Sequence, residues 1–99
     1  MMNSNITQEQ LLQAKETLTN LVHKTPVLSS EVIDKKIGAN LYFKCENFQK
    51  TGSFKFRGAS YAVSRLGSDQ KKNGVTTHSS GNHGQALAKA AQLAGIKAF

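Results

Sequence analysis

The sequence predicts an α/β fold, a parallel sheet with flanking helices, and three observations point to it. Residues 75–99 read strand, glycine turn, helix, strand, which is the order of a βαβ unit and implies parallel strands. Residues 7–22 and 54–66 each carry an apolar stripe at helical spacing. Between them, residues 41–45 alternate, placing Leu41, Phe43 and Cys45 on one face of a strand. A parallel sheet needs several strands and cover on both faces. The 99 residues are therefore expected to be the N-terminal part of something longer.

The elements follow in order. Thr7 can cap the first helix, and Gln10 three residues on completes a capping box. Leu11, Ala14, Leu18, Leu21 and Val22 form its apolar face. Pro26 forbids helix before it and holds Thr25 extended. Ser30 can cap a short helix over residues 31–37, which Gly38 would stop. Residues 46–52 are polar, hold a glycine and read as loop. Ser53 is placed as cap of the helix over 54–66, whose inner face is Phe56, Ala59, Val63 and Leu66. Gly58 and Ala62 are expected to permit close packing there. Residues 67–74 read as a charged, turn-rich connector and a candidate domain boundary. Residues 75–79 are β-prone, 80–84 form a turn, 85–94 an alanine-rich helix that Gly95 stops, and 96–99 a further apolar run.

Composition narrows the class. With 38% hydrophobic and 19% charged residues the chain fits a soluble globular protein. No apolar run approaches the length of a membrane span, and the first residues carry no secretory pattern. One cysteine, Cys45, excludes an internal disulfide and fits a reducing, cytoplasmic setting. The net charge of +7 favours anionic partners, but the basic residues are dispersed, which argues against nucleic acid.

Two segments carry chemistry. In Gly52-Ser53-Phe54-Lys55-Phe56-Arg57-Gly58, Lys55 falls in the first turn of a helix. The positive end of the macrodipole disfavours an ammonium there. Phe54 and Phe56 would desolvate it, and Arg57 adds a like charge. All three effects are expected to lower the lysine pKa, as a nucleophilic amine requires. The bland alternative is a surface lysine near a helix start. In Ser79-Ser80-Gly81-Asn82-His83-Gly84, a glycine-bounded turn enters a helix N-terminus, where free N–H groups can hold an anion. Ser79, Ser80 and Asn82 add donors. The bland alternative is a polar turn whose serine or asparagine caps the helix. His83 has no second ligand at metal-binding spacing, so no metal site is expected.

Together these segments resemble the serine racemase and threonine dehydratase family, pyridoxal 5′-phosphate enzymes of the tryptophan synthase β-like fold. His23-Lys24-Thr25-Pro26-Val27-Leu28 is similar to the family's opening strand. Lys44-Cys45-Glu46-Asn47-Phe48-Gln49-Lys50-Thr51 and the Lys55 segment that continues it are similar to its cofactor-lysine segment. Thr77-His78-Ser79-Ser80-Gly81-Asn82-His83-Gly84-Gln85-Ala86 is similar to its asparagine loop. The resemblance covers nearly the whole chain.

It implies that Lys55 bonds covalently to the cofactor and then acts as a base at the substrate Cα. It implies that Phe54 packs beside the pyridine ring and that Asn82 binds the cofactor's 3′-oxygen. Ser79, Ser80, Asn82 and His83 would line the substrate site, the carboxylate falling to Ser79, Asn82 and His83. Ser80 would be the acid/base opposite Lys55, a position that is alanine in most dedicated threonine dehydratases. Two groups on opposite faces are what inversion requires, so Ser80 tips the reading toward racemisation. Hydroxyaspartate ammonia-lyases are similar too.

The resemblance further implies a serine or threonine substrate, a homodimer, and room for a nucleotide effector. It also places the phosphate-binding glycine loop and any Mg or Ca site downstream of Phe99. Residues 1–72 would belong to a large domain and 73–99 would open a small one. These residues alone are expected to fold poorly and to show no turnover. A basic nucleic-acid module is the competing class, resting on charge and on the mixing of Lys, Arg and Phe over residues 50–57.

Overall fold

The computed structural model describes residues 5–99. Helix α1, Gln8–Leu18, opens with the expected reciprocal cap: Thr7 Oγ1 accepts from Gln10 N at 3.2 Å, and Gln10 Oε1 accepts from Thr7 N at 2.9 Å. It stops four residues short of the predicted end, where the Leu21 and Val22 amides turn back to the Leu18 carbonyl. Of its apolar stripe only Leu18 is buried, and Leu11 stays exposed. Strand β1, Val27–Leu28, leads to helix α2, Glu31–Ile37. Ser30 caps that helix and Gly38 closes it in the left-handed region at φ 75°, as its sequence position indicated.

Strand β2, Phe43–Lys44, is shorter than the predicted 41–45 run. It pairs antiparallel with β1, Val27 opposite Lys44 and Leu28 opposite Phe43. The α/β reading holds, and the parallel pairing expected of the βαβ unit is present. Among the described residues, parallel pairing is confined to one bridge, Val75 with Ala98, across the βαβ unit. The two-residue ladder of β1 and β2 is antiparallel although helix α2 lies in the connection between them.

Two short 3-10 turns, Glu46–Phe48 and Lys50–Gly52, replace the loop read over 46–52. Helix α3, Lys55–Ser64, follows. Ser53 does not cap it: the residue is extended, and its hydroxyl is buried with no hydrogen-bond partner. Gly58 and Ala62 do not mediate close packing either. Both are exposed, and a Cβ on Gly58 would meet open space. Residues 67–74 are not a connector but carry helix α4, Ser68–Asn73. Every residue in it is polar, so no apolar period marks it. Gln70 Oε1 accepts from Gly67 N at its start.

Helix α5, Asn82–Leu93, begins three residues before the predicted Gln85. The core lies where it packs on α3. Phe56, Ala59 and Val63 of α3 meet Ala86, Ala90 and Ala91 of α5, with Ile96 beside them. The alanines let the two helices approach closely, and Phe56 is the one large side chain wholly buried there. This cluster is small. Val32, Tyr42, Phe43 and Phe99 remain exposed, and the radius of gyration of 16.6 Å exceeds the roughly 13 Å typical of a domain of this length. No helix among the described residues is long and apolar enough to cross a membrane.

Candidate active site

Lys55 is the first residue of α3, and its position follows from its neighbours. Successive helical residues project about 100° apart. Phe56 points into the α3–α5 core, fully buried. Arg57 reaches Glu46, its Nε and Nη2 each 2.8 Å from a carboxylate oxygen. Lys55 is left to the remaining direction and is exposed. Its ammonium lies 5.3 Å from the centroid of the Phe54 ring and takes part in neither ion pair of the described residues.

Two of the effects expected at Lys55 are corrected by this geometry. Phe56 is turned away and does not cover the amine, while Phe54 is itself 62% exposed. Arg57 is not a free positive neighbour, because Glu46 pairs with it in a fork. Lys55 does lie in the first turn of α3, which begins one residue later than expected.

The fork belongs to a larger set of bonds that the sequence did not reveal. Leu21, His23 and Thr25 present backbone carbonyls without a ladder neighbour. Lys50 Nζ donates to Leu21 O at 2.8 Å, Gln49 Nε2 to His23 O at 2.8 Å, and Lys44 Nζ to Thr25 O at 2.7 Å. Gln49 Oε1 in turn accepts from the His23 and Lys50 amides. Thr25 donates its hydroxyl to Glu46, and Cys45 N donates to Pro26 O. Much of the long motif around Lys55 thus staples the chain onto the segment before β1. Glu46 is correspondingly acidic: the Arg57 guanidinium first, then the Thr25 hydroxyl, hold its carboxyl at about 2 against partial burial, which opposes them. The available signal was the density of long polar side chains at 44, 46, 49, 50 and 57.

The second motif is built locally. Ser79 Oγ accepts from Gly81 N at 3.3 Å and Gly84 N at 3.2 Å. The capping alternative therefore describes Ser79, and two amides assigned to an anion are already engaged. The Asn82 and His83 amides, at the first turn of α5, have no acceptor among the described residues. Gly84 is required by proximity: a Cβ there would lie 2.7 Å from the Ser79 carbonyl oxygen. Ser80, Asn82 and His83 are exposed. Helix α5 packs along α3 and against the Lys50–Gly52 turn leading to Lys55, so both motifs belong to one packed unit. Among the described residues there is no cluster of three or more His, Cys, Asp or Glu side chains suited to a metal.

An unpaired primary amine at one helix start, with free amides and a carboxamide at the start of a helix packed on it, suits a cofactor that is both aldehyde and anion. This donor set, a primary amine, a carboxamide and free amides, fits pyridoxal phosphate in kind.

The chain belongs to the pyridoxal-phosphate dependent enzyme family, whose model matches residues 18–99. Among its relatives is the serine racemase of Dictyostelium discoideum, 47% identical over 94 residues, covering 95% of this chain and 29% of that protein. The crystal structure of that racemase superposes with a TM-score of 0.90 over 94% of this chain and 30% of its own. The L-threo-3-hydroxyaspartate ammonia-lyase of Saccharomyces cerevisiae is 48% identical, covering 89% of this chain and 27% of that protein. The threonine deaminase of T.th. matches at a TM-score of 0.84 with 39% identity, over 95% of this chain and 33% of its own. The chain thus spans less than a third of the length of the curated relatives it matches.

Proposed function

We propose that these residues supply the cofactor lysine and part of the substrate surface of an enzyme that racemises serine and dehydrates L-serine or L-threonine to a 2-oxo acid and ammonia. The observation that carries this reading is the exposed, unpaired amine of Lys55 on a helix packed against the one that starts at Asn82. A serine racemase at 47% identity over 94 residues supports it.

Pyridoxal phosphate, when bound, supplies an aldehyde for reversible bonding to amines and a ring that takes up the electron pair left at Cα. The chain's own groups do the rest. Lys55 would hold the cofactor through its amine, and the same nitrogen would take the Cα proton. Phe54 would pack beside the cofactor ring, and Asn82 would donate to its 3′-oxygen. The Asn82 and His83 amides and side chains hold the substrate carboxylate, with the Ser79 hydroxyl proton directed at it. Ser80 returns a proton to Cα from the opposite face, which inverts the centre. Where no proton returns to Cα, the proton that Lys55 took would pass to the β-hydroxyl, which would leave as water, and later addition of water to the product would release ammonia and the 2-oxo acid.

In the same reading residues 1–72 open a large domain and 73–99 a small one, although both contribute to the α3–α5 cluster. A homodimer, a nucleotide effector, a divalent cation held by residues outside this chain, and a cytoplasmic setting complete the proposal. The test is Ser80→Ala in the polypeptide that carries these residues. D-serine formation is expected to disappear while pyruvate formation from L-serine persists. Equal loss of both would remove Ser80 from its assigned role.

The elimination-only reading, supported by the yeast ammonia-lyase at 48% identity, predicts no D-serine from the unsubstituted enzyme.

A further inference from the structure

We propose that the Glu46–Arg57 fork is a positioning device that sets the direction of Lys55. The inference rests on the reading of Lys55 as the cofactor lysine and adds to it two residues whose side chains are engaged with each other, Thr25 and His23.

A helix start can roll about its axis, and a roll of one residue's angle would carry Lys55 out of reach of its target. Two side chains oppose that roll. Phe56 is seated wholly in the α3–α5 core, but an apolar contact tolerates sliding and some rotation. Arg57 adds what a phenyl ring cannot: two parallel N–H···O bonds of 2.8 Å fix both the distance and the plane of the contact. Its Nη2 also donates to the His23 carbonyl at 3.2 Å, crossing to a second segment of chain.

The anchor on the other side is itself held. Glu46 accepts from the Thr25 hydroxyl as well as from Arg57. The His23 carbonyl is shared with Gln49, whose Oε1 caps the turn leading to Lys55. The fork therefore ties the first turn of α3 to the residues preceding β1, two positions along the chain from the reacting amine. Among the described residues of the first turn of α3, Arg57 is the one whose side chain bonds to other segments of the chain.

The experiment follows attachment of pyridoxal phosphate to the polypeptide that carries these residues. It reads the rate at which the yellow adduct appears and, after borohydride reduction, the share of label at each lysine by peptide mapping. Arg57→Ala is expected to slow labelling of Lys55 by about ten-fold to a hundred-fold, in the range that small misplacements cost, and to spread label to other lysines. Arg57→Lys is expected to recover only part, since an ammonium cannot form the fork. Glu46→Gln, which keeps the shape, gives a smaller slowing if Arg57→Ala does not fold. Gly74→Ala serves as the stability control: it strains a residue at φ 84° far along the chain and is expected to lower the melting temperature without changing the labelling.

The inference is overturned if Arg57→Ala and Glu46→Gln lower the melting temperature yet label Lys55 as fast and as selectively as the unsubstituted protein. If Lys55→Ala leaves total labelling and the yellow band unchanged, the underlying reading of Lys55 fails instead, whatever the fork variants do.

Discussion

The two motifs of this chain are built in opposite ways. The Lys55 segment is held by bonds between residues far apart in sequence: Arg57 reaches Glu46 and His23, Gln49 reaches His23, and Lys50 reaches Leu21. The Asn82 segment is held by one hydroxyl, Ser79, bonding amides within five residues. In the proposed function the first fixes where a covalent bond would form. The second leaves Ser80, Asn82 and His83 exposed and their donors available. A covalent attachment point needs a defined direction, whereas a carboxylate can be met by several donors at once, so the long-range restraints gather around the lysine.

The comparison can be broken first at the core the two motifs share. Phe56→Ala removes the one large side chain wholly buried between α3 and α5. It should cost about 3–5 kcal/mol, read by denaturant melting, and loosen both motifs together. Gly84→Ala attacks the second motif alone. A Cβ 2.7 Å from the Ser79 carbonyl oxygen must displace backbone, at a cost of about 1–3 kcal/mol. Weaker substrate binding with cofactor labelling of Lys55 intact would show the motifs to be separable.

Acid sharpens the first motif. The Glu46 carboxyl is lowered from 4.5 to about 2 in the folded state. Its contribution is therefore fully present above about pH 4.5 and is lost as pH falls through about 2. The shift corresponds to about 2 kcal/mol once screening at Arg57, whose side chain is 32% exposed, is allowed for. Glu46→Gln should be less stable at neutral pH and should show a flatter loss of stability between pH 4.5 and 2 in acid titrations. The smallest stability effect belongs to Ser80→Ala. The side chain is exposed, so the change should stay within about 0.5 kcal/mol even as racemisation is lost.

What was legible in the sequence is what is local. The Thr7–Gln10 box, the Ser30 cap, the Gly38 stop and the Phe56-Ala59-Val63 face all rest on spacings of one turn or two, and all are present. Helix α4 escaped because Ser68–Asn73 has no apolar side chain to set a period. The antiparallel pairing of β1 with β2 depends on where the chain returns after α2, which no local pattern states. At the site, helix starts and glycines mark Lys55 and the Asn82 turn as candidates, and their roles come from the resemblance. The clamp was not: Glu46 and Arg57 are eleven residues apart and Gln49 and His23 are twenty-six, and Arg57 read alone looked like a free charge.

The claim on which most depends is that Lys55 is the point of covalent attachment. Incubation of the polypeptide with pyridoxal phosphate, borohydride reduction and peptide mapping tests it directly. The stable label is expected on the peptide containing Lys55, and Lys55→Ala is expected to abolish both the label and the yellow band. Labelling that bypasses position 55, or a band that survives the substitution, would contradict it.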